Sequence, residues 1–437
     1  MLNPKGQQMK NPIQPDCCDT SGFAPEHLNQ SCFCITLDRN ELGRALDTAA
    51  SEPGFHDRIA ANQPHLFSNV PVFLPARALM AMQDIVAAIE EVAQIPSYKA
   101  TVLGWAPPIA QHDLGPQGAL MGYDFHLSDE APKLIEVNTN AGGAFLNALA
   151  GQAQRVCCAD AGIGLAPGEA DGFAQAARAM FIREWSLQGR TGAPRRIAIV
   201  DDAPAEQHLH PEFLIAQRVL AADGAKVLIL DPAELSHRDG ALWAKGAPID
   251  LVYNRLVDFT FDEPRHAELR SAYLDGAAVV TPNPHLHALY ADKRNLILLS
   301  DLPRLASWGV GAATLEALKA VPRTIGVTPE NAEDLWRERK RWFFKPTRGH
   351  ASKGVYRGEK LTTRVWAEIL AADYVAQAYS PPSERQIAID GRPQTRKLDV
   401  RLYTYDGEVL LSAARLYQGQ ATNLRTPGGG FAPLFVV

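Results

Sequence analysis

The 437-residue chain contains no run approaching the ~18 uninterrupted apolar residues of a membrane span, and its first residues, MLNPKGQQMKNPIQPDCCD, lack the apolar core of a secretory signal. No membrane association is expected, and a cytoplasmic location is the default. There is no lysine- or arginine-rich tract, and 43 basic against 49 acidic side chains leave a net charge of −6. Nucleic-acid binding needs a concentrated basic face, so no such partner is expected. Cysteine is scarce. The six fall at Cys17, Cys18, Cys32, Cys34, Cys157 and Cys158, adjacent or two apart, without the CxxC spacing of zinc sites. They read as free thiols. A Walker loop and a GxSxG elbow are absent, and GIGLAPG (162–168) and GVGAAT (309–314) fail the GxGxxG spacing of a dinucleotide site. His208/His210 and His285/His287 are spaced like strand chelates but have no third ligand in view, so they read as ordinary surface histidines. No repeat of solenoid period or low-complexity tract occurs.

What remains is an ordinary globular composition, 46% hydrophobic and 21% charged, in a chain too long for one core. Two or three domains are expected. Residues 1–35, rich in Pro, Asn, Gln and Cys, read as a loose arm. From 38 to about 98 the pattern is helical, most clearly in ARALMAMQDIVAAIEEVAQI (77–96), where apolar residues recur three and four apart. Strands are expected at 121–127 and 133–138, joined by the acidic turn SDEAP, and a helix at 169–187 closes a region spanning 36–190. After a linker (188–196), a strand at 195–202, a helix at 211–223 and a strand at 226–231 make a βαβ unit, extended by strands at 249–255 and 277–283. This second region, 191–300, is expected to be a parallel Rossmann-like sheet. The last, 301–437, reads as a helix at 330–340 and strands at 342–345, 374–378, 397–405 and 408–416, the final pair an antiparallel meander.

Three segments carry chemistry. In WFFKPTRGHASKGVYRG (342–358), Lys345 emerges from an aromatic strand into a loop offering Gly349, Ser352 and Gly354, whose backbone amides suit phosphate oxygens. In KLIEVNTNAGGAF (133–145), Glu136 and Asn138 lie two apart on a strand and so share a face; in KLDVRLYTYDGEVLLSAARLYQGQATNLRTPGGG (397–430), Asp399 and Arg401 do the same. Two carboxylates and an amide oxygen are hard ligands of the kind Mg²⁺ takes. Arg401 or Arg415 is suited to offset charge on a transferred phosphoryl group. ATP chemistry is the leading reading of these residues. The plain alternatives are a basic surface hairpin and polar residues on a solvated sheet face.

Segment by segment, the chain resembles an ATP-grasp ligase of the glutathione-synthetase type. The resemblance rests on IDLVYNRLVDFTFD (249–262), TPNPHLHALYADKRNLILLSD (281–301), WFFKPTRGHASKG, DYVAQAY (373–379) and the 397–430 hairpin. In that family the Glu-x-Asn strand follows the Asn-Gly loop, whereas here IEVNTNAGG lies far upstream of Asp399. The order therefore resembles circularly permuted ATP-grasp proteins, such as the synthetase half of glutathionylspermidine synthetase. The resemblance covers about 121–150 and 249–437 and leaves 1–120 without a match. It implies an α/β ATP-grasp fold in permuted order with a pre-grasp βαβ domain. It also implies Lys293 and Lys345 on ATP phosphates, Gln377 near adenine, and Glu136, Asn138 and Asp399 on Mg²⁺. Arg401 and Asn423 would face an acyl-phosphate, and Arg255 a substrate carboxylate. The expected activity is an ATP- and Mg²⁺-dependent carboxylate–amine ligase acting on small molecules, with homodimers common among relatives. A phosphotransferase using the same grasp, or a non-catalytic nucleotide-binding scaffold, stands as the alternative.

Overall fold

A computed structural model describes residues 25–32, 36–128, 131–155, 164–165, 170–349 and 354–437. Its centre is a large mixed sheet. Strands run in the order Val72–Leu74, Gly430–Val436, Glu408–Tyr417, Arg392–Tyr405, Met121–Ser128 and Ala131–Asn138, with Ser383–Ile389 also paired to Arg392–Tyr405. The first third of the chain and its C-terminal meander thus share one hydrogen-bonded sheet.

Period-two alternation gives this sheet two unlike faces. Leu398, Val400 and Leu402, with Tyr123, Phe125 and Leu134, point into a core against the helix Ala76–Gln94, which contributes Leu79, Met82, Val86 and Ile89. The intervening Asp124, Asp399 and Arg401 therefore point the other way, into a cavity. Pairing between Met121–Ser128 and Ala131–Asn138 slips by one residue, since Asp124 faces Glu136 while Phe125 faces Leu134. Ile135 is the extra residue. This bulge frees the Ile135 carbonyl from the ladder while keeping Glu136 beside Asp124.

A second, parallel sheet has the order Val279–Thr281, Leu251–Asn254, Arg196–Val200 and Lys226–Leu230, with the helix His210–Ala221 crossing between the last two. A third, small sheet joins Thr324–Gly326, Tyr374–Ala378, Trp342–Pro346 and Tyr356–Arg357, and packs Phe344, Leu335 and Ile369 into its own core.

The structure departs from the sequence expectations where elements are short. The continuous helical region expected from 38 to 98 is broken by the buried strand Val72–Leu74, whose three residues are too few to show an alternation. The helix expected at 330–340 holds only over Ala332–Arg337. Ser383–Ile389, Gly430–Val436 and a small three-stranded sheet at 236–249 were not expected. The N-terminal arm is partly built in, because Pro25–Ser31 is helical and Asn29 exchanges hydrogen bonds with the Phe73 backbone.

Candidate active site

A cavity of about 870 Å³ opens between the small sheet and the polar face of the large one, and reaches the carboxyl edge of the parallel sheet. Of the residues singled out from the sequence, Glu136, Asn138, Arg255, Lys293, Lys345, Gly349, Gln377, Asp399, Arg401, Arg415 and Asn423 line it. Gly354 is not among the lining residues; its carbonyl accepts the Tyr374 hydroxyl at 2.9 Å. Ser352 lies outside the described residues.

One wall is an ionic row set by strand register. Arg401 lies opposite Asp124, Asp124 opposite Glu136, and Asp399 opposite Arg415. Asp124 is the hub. It accepts Arg401 Nε at 2.6 Å, Arg401 Nη2 at 2.7 Å and Arg415 Nη2 at 2.8 Å, while Arg415 Nε reaches Asp399 at 2.7 Å. Burial works to raise the Asp124 pKa, but the two guanidinium groups bring it down to about 2. Thr422 donates to the other oxygen of Asp399. Asn138 donates weakly to Asp124 and Glu136, at 3.2 and 3.3 Å.

Facing this row are two buried lysines. Lys345 donates to the freed Ile135 carbonyl at 2.7 Å and Lys293 to the Gly349 carbonyl at 3.1 Å; among the described residues neither has a carboxylate within ion-pair distance. Burial, with Lys293 adding to it, lowers the Lys345 pKa to about 8, so the side chain is mostly charged at neutral pH. Glu136 feels both lysines. Burial works to raise its pKa, yet their charges hold it below the ordinary glutamate value.

These residues fit a magnesium nucleotide. Two desolvated ammonium groups held only by neutral carbonyls are short of negative charge, which phosphates supply. Glu136 keeps most of its acceptor capacity, and each Asp399 oxygen retains a lone pair beyond its single hydrogen bond. Gln377, on the strand Tyr374–Ala378, is buried, and among the described residues its Nε2 has no partner, which leaves a donor for a planar heterocycle. Asn423 is spent on its own loop, donating to the Gln418 carbonyl at 2.8 Å and accepting from Thr426 at 2.9 Å.

Several residues in or beside the cavity escaped the sequence reading. Asp124 and His126 alternate in MGYDFHL, a strand already expected, and that alternation was the available signal. Burial lowers the His126 pKa. Because its Nδ1 meets the Ser380 carbonyl at 2.8 Å, and a carbonyl only accepts, the proton sits on Nδ1. His126 therefore ties the segment after Gln377 to the large sheet, helped by Ser383, which donates to the Leu127 carbonyl at 2.7 Å. Glu212, fully buried on the helix His210–Ala221, accepts the Gly143 amide at 2.8 Å and the Phe145 amide at 3.2 Å, capping the helix Ala144–Gln152 from outside. No local pattern announces that contact.

Gly142 joins the two ends of the cavity. Its carbonyl accepts Tyr403 Oη at 2.8 Å and lies 3.5 Å from Arg401 Nη1, while a methyl on its α-carbon would come 2.3 Å from Leu209 Cδ1 and 3.0 Å from Arg255 Nη2. An alanine there would have to push the ends of the Leu209 and Arg255 side chains aside.

No family model and no curated protein matches the sequence. Solved structures do. The chain shares its fold with a glutathione synthetase-like effector from Globodera pallida, solved in the apo form, at 14% identity and a TM-score of 0.54 over 92% of this chain and 98% of that one. A gamma-glutamylcysteine synthetase candidate from Methylobacillus flagellatus KT is matched at 11% identity and a TM-score of 0.47, over 84% of this chain and 89% of its own. The ATP-grasp ligase PsnB, complexed with a minimal precursor, Mg and ADP, is matched at 17% identity and a TM-score of 0.28, over 55% and 87%. Only the first bears on the argument, and it shows the fold alone.

Proposed function

We propose that the chain is an ATP- and Mg²⁺-dependent carboxylate–amine ligase. The observation that carries this reading is one cavity with two buried, unneutralised lysines on one side and a row of carboxylates and arginines on the other. Bound MgATP would supply the phosphoryl group that activates a carboxylate, and displacement by an amine would leave ADP and phosphate.

In this reading Lys293 and Lys345 neutralise the phosphates, and Glu136, Asn138 and Asp399 hold the metal. Gly349 offers its backbone amide to the phosphates, and Gln377 meets the base. Arg401 and Arg415 enter the reaction already oriented, because Asp124 and Asp399 fix their forks. Such preorganised cations in a water-poor site oppose developing charge with little reorganisation. Arg255 receives a substrate carboxylate. The position of the Glu136 strand far upstream of Asp399 is read as a circular permutation, which the shared sheet accommodates because register, not chain order, sets neighbours.

The test is titration of MgADP into the wild type, Lys345→Met and Glu136→Gln, alongside amine-dependent ADP release. We expect Lys345→Met to weaken binding at least tenfold and Glu136→Gln to remove most of its Mg²⁺ dependence. A wild type that binds no nucleotide, or a Lys345→Met variant that binds unchanged, would overturn the reading.

A further inference from the structure

Two loops leave the carboxyl edge of the parallel sheet, after Val200 and after Asn254, which lie opposite each other in the register. Each divides its residues between two sides. Asp201, Val257 and Phe259 line the cavity, whereas Asp202 and Asp258 turn to a single side chain behind it. That side chain is His266, with none of its surface exposed. Its Nδ1 lies 2.7 Å from Asp258 and its Nε2 3.0 Å from Asp202.

Hydrogen-bond chemistry fixes the state of the ring. An ionised carboxylate only accepts, and a neutral imidazole has one N–H to give, so both contacts are favourable together only in the imidazolium. Burial works to lower the His266 pKa, but the hydrogen bonds and charges of Asp258 and Asp202 hold it above the ordinary histidine value. Glu263 lies close enough to Asp202 and His266 to suggest a metal set, yet neither ring nitrogen is left to bind one.

What the ring grips is cavity wall. Asp258 also accepts the Thr260 and Glu263 amides, at 3.3 and 2.9 Å, and so shapes a turn in which Phe261 takes a φ of 53°, a left-handed conformation rare for an aromatic residue. Phe259, inside that turn, stacks on His287 with ring centroids 3.6 Å apart, and the Leu256 carbonyl accepts Asn140 at 3.1 Å. On the other loop, the Asp202 carbonyl accepts Gln207, which lines the cavity as well. We propose that His266 is a proton-dependent clamp: its imidazolium ties the two loops together and fixes the cavity wall they carry, and loss of its proton frees that wall.

The other charged groups at the clamp are Asp201, Glu263 and Arg265, with Asp231 beyond Arg265, Asp262 sharing Thr260 with Asp258, and Arg255 on the cavity side. Burial raises Asp201 to about 6, while Asp258, against its burial, is brought down to about 2 by hydrogen bonds led by that of His266. Neither changes charge appreciably above pH 7. Because the His266 pKa is raised on folding, the clamp is complete below the ordinary value of 6.5 and is lost as pH rises through the folded value.

The experiment combines NMR of ¹⁵N-histidine-labelled protein with hydrogen–deuterium exchange of residues 256–263, each rate divided by the intrinsic rate at that pH. At pH 6.5 the wild type should show one histidine with both ring nitrogens protonated and slow to exchange, and His266→Gln should lack it. Protection of 256–263 should fall at least tenfold between pH 6.5 and 9.5 in the wild type, while the strand 397–405 stays protected. In His266→Gln, which keeps Lys345 and every other titrating group, protection should be low and independent of pH. If that variant does not fold, Asp258→Asn replaces it and should lose protection at a lower pH than the wild type. A singly protonated His266 at pH 6.5, or protection that responds to pH alike in wild type and variant, overturns the clamp. These measurements use neither nucleotide nor substrate, so the ligase reading stands or falls separately.

Discussion

Replacing Asp124 by Asn tests whether the ionic row organises the site. The carboxylate is 3% exposed and holds three charge-assisted hydrogen bonds from two buried guanidinium groups, at 2.6, 2.7 and 2.8 Å. The amide keeps the shape but removes the charge. Arg415 retains Asp399, whereas Arg401 loses its only carboxylate and keeps at most the amide oxygen and the distant Gly142 carbonyl. Removing one partner of a buried pair costs about 3–5 kcal/mol. One amide oxygen still accepts, so a loss of ~3–4 kcal/mol is expected, a large share of the ~5–15 kcal/mol by which domains are stable. Urea unfolding followed by circular dichroism at pH 7 measures it. The sign with pH follows from the depressed pKa. The wild-type contribution is fully present above the ordinary aspartate value of 3.8 and is lost as pH falls toward about 2, so the deficit of the variant is flat from pH 5 to 8. Adding Arg401→Met removes the orphaned cation, and the double variant should be less destabilised than the sum of the singles. A deficit below about 1 kcal/mol at pH 7, or strict additivity, would refute the reasoning that Asp124 is the hub.

Other outcomes follow from single contacts. MgADP affinity should fall as pH rises past about 8, approaching tenfold per unit, because Lys345 loses its proton there; Lys345→Arg should flatten the profile, and an unchanged slope would remove Lys345 from the phosphate site. Gly142→Ala places a methyl 2.3 Å from Leu209 and 3.0 Å from Arg255 Nη2, so overpacking of ~1–3 kcal/mol is expected in thermal melts, with weakened substrate binding. Arg385, with none of its surface exposed, donates to the carbonyls of Asn29, Cys32, Pro71 and Gln386. Arg385→Met should release the helix Pro25–Ser31 and speed proteolytic cleavage near it; unaltered digestion kinetics would contradict that anchor. His126→Phe, which cannot hold the Ser380 carbonyl, should weaken nucleotide binding about threefold to tenfold, as expected of ~1 kcal/mol from one hydrogen bond.

The sequence by itself determined the elements whose pattern is local. Alternation in 397–405 and 133–138 put Asp399 with Arg401 and Glu136 with Asn138, and the aromatic strand before Lys345 declared both its burial and the lysine at its end. The helix at 77–96 was equally plain, since its period exposes which face is apolar. Where the chain is short of residues to display a period, as in Val72–Leu74, the reading failed. Tertiary structure alone decided which of these hairpins became neighbours. Register across strands distant in the chain made Asp124 the partner of Arg401, at a sequence separation of 277, and of Arg415, at 291. A single extra residue, Ile135, kept Glu136 in that row and turned a carbonyl toward Lys345. Glu212 capping a helix from another element, and Asp201 beside Arg255 with no ion pair among the described residues, have no local signature at all. Their roles depend on which charges the fold has already neutralised, and that is a property of proximity in space.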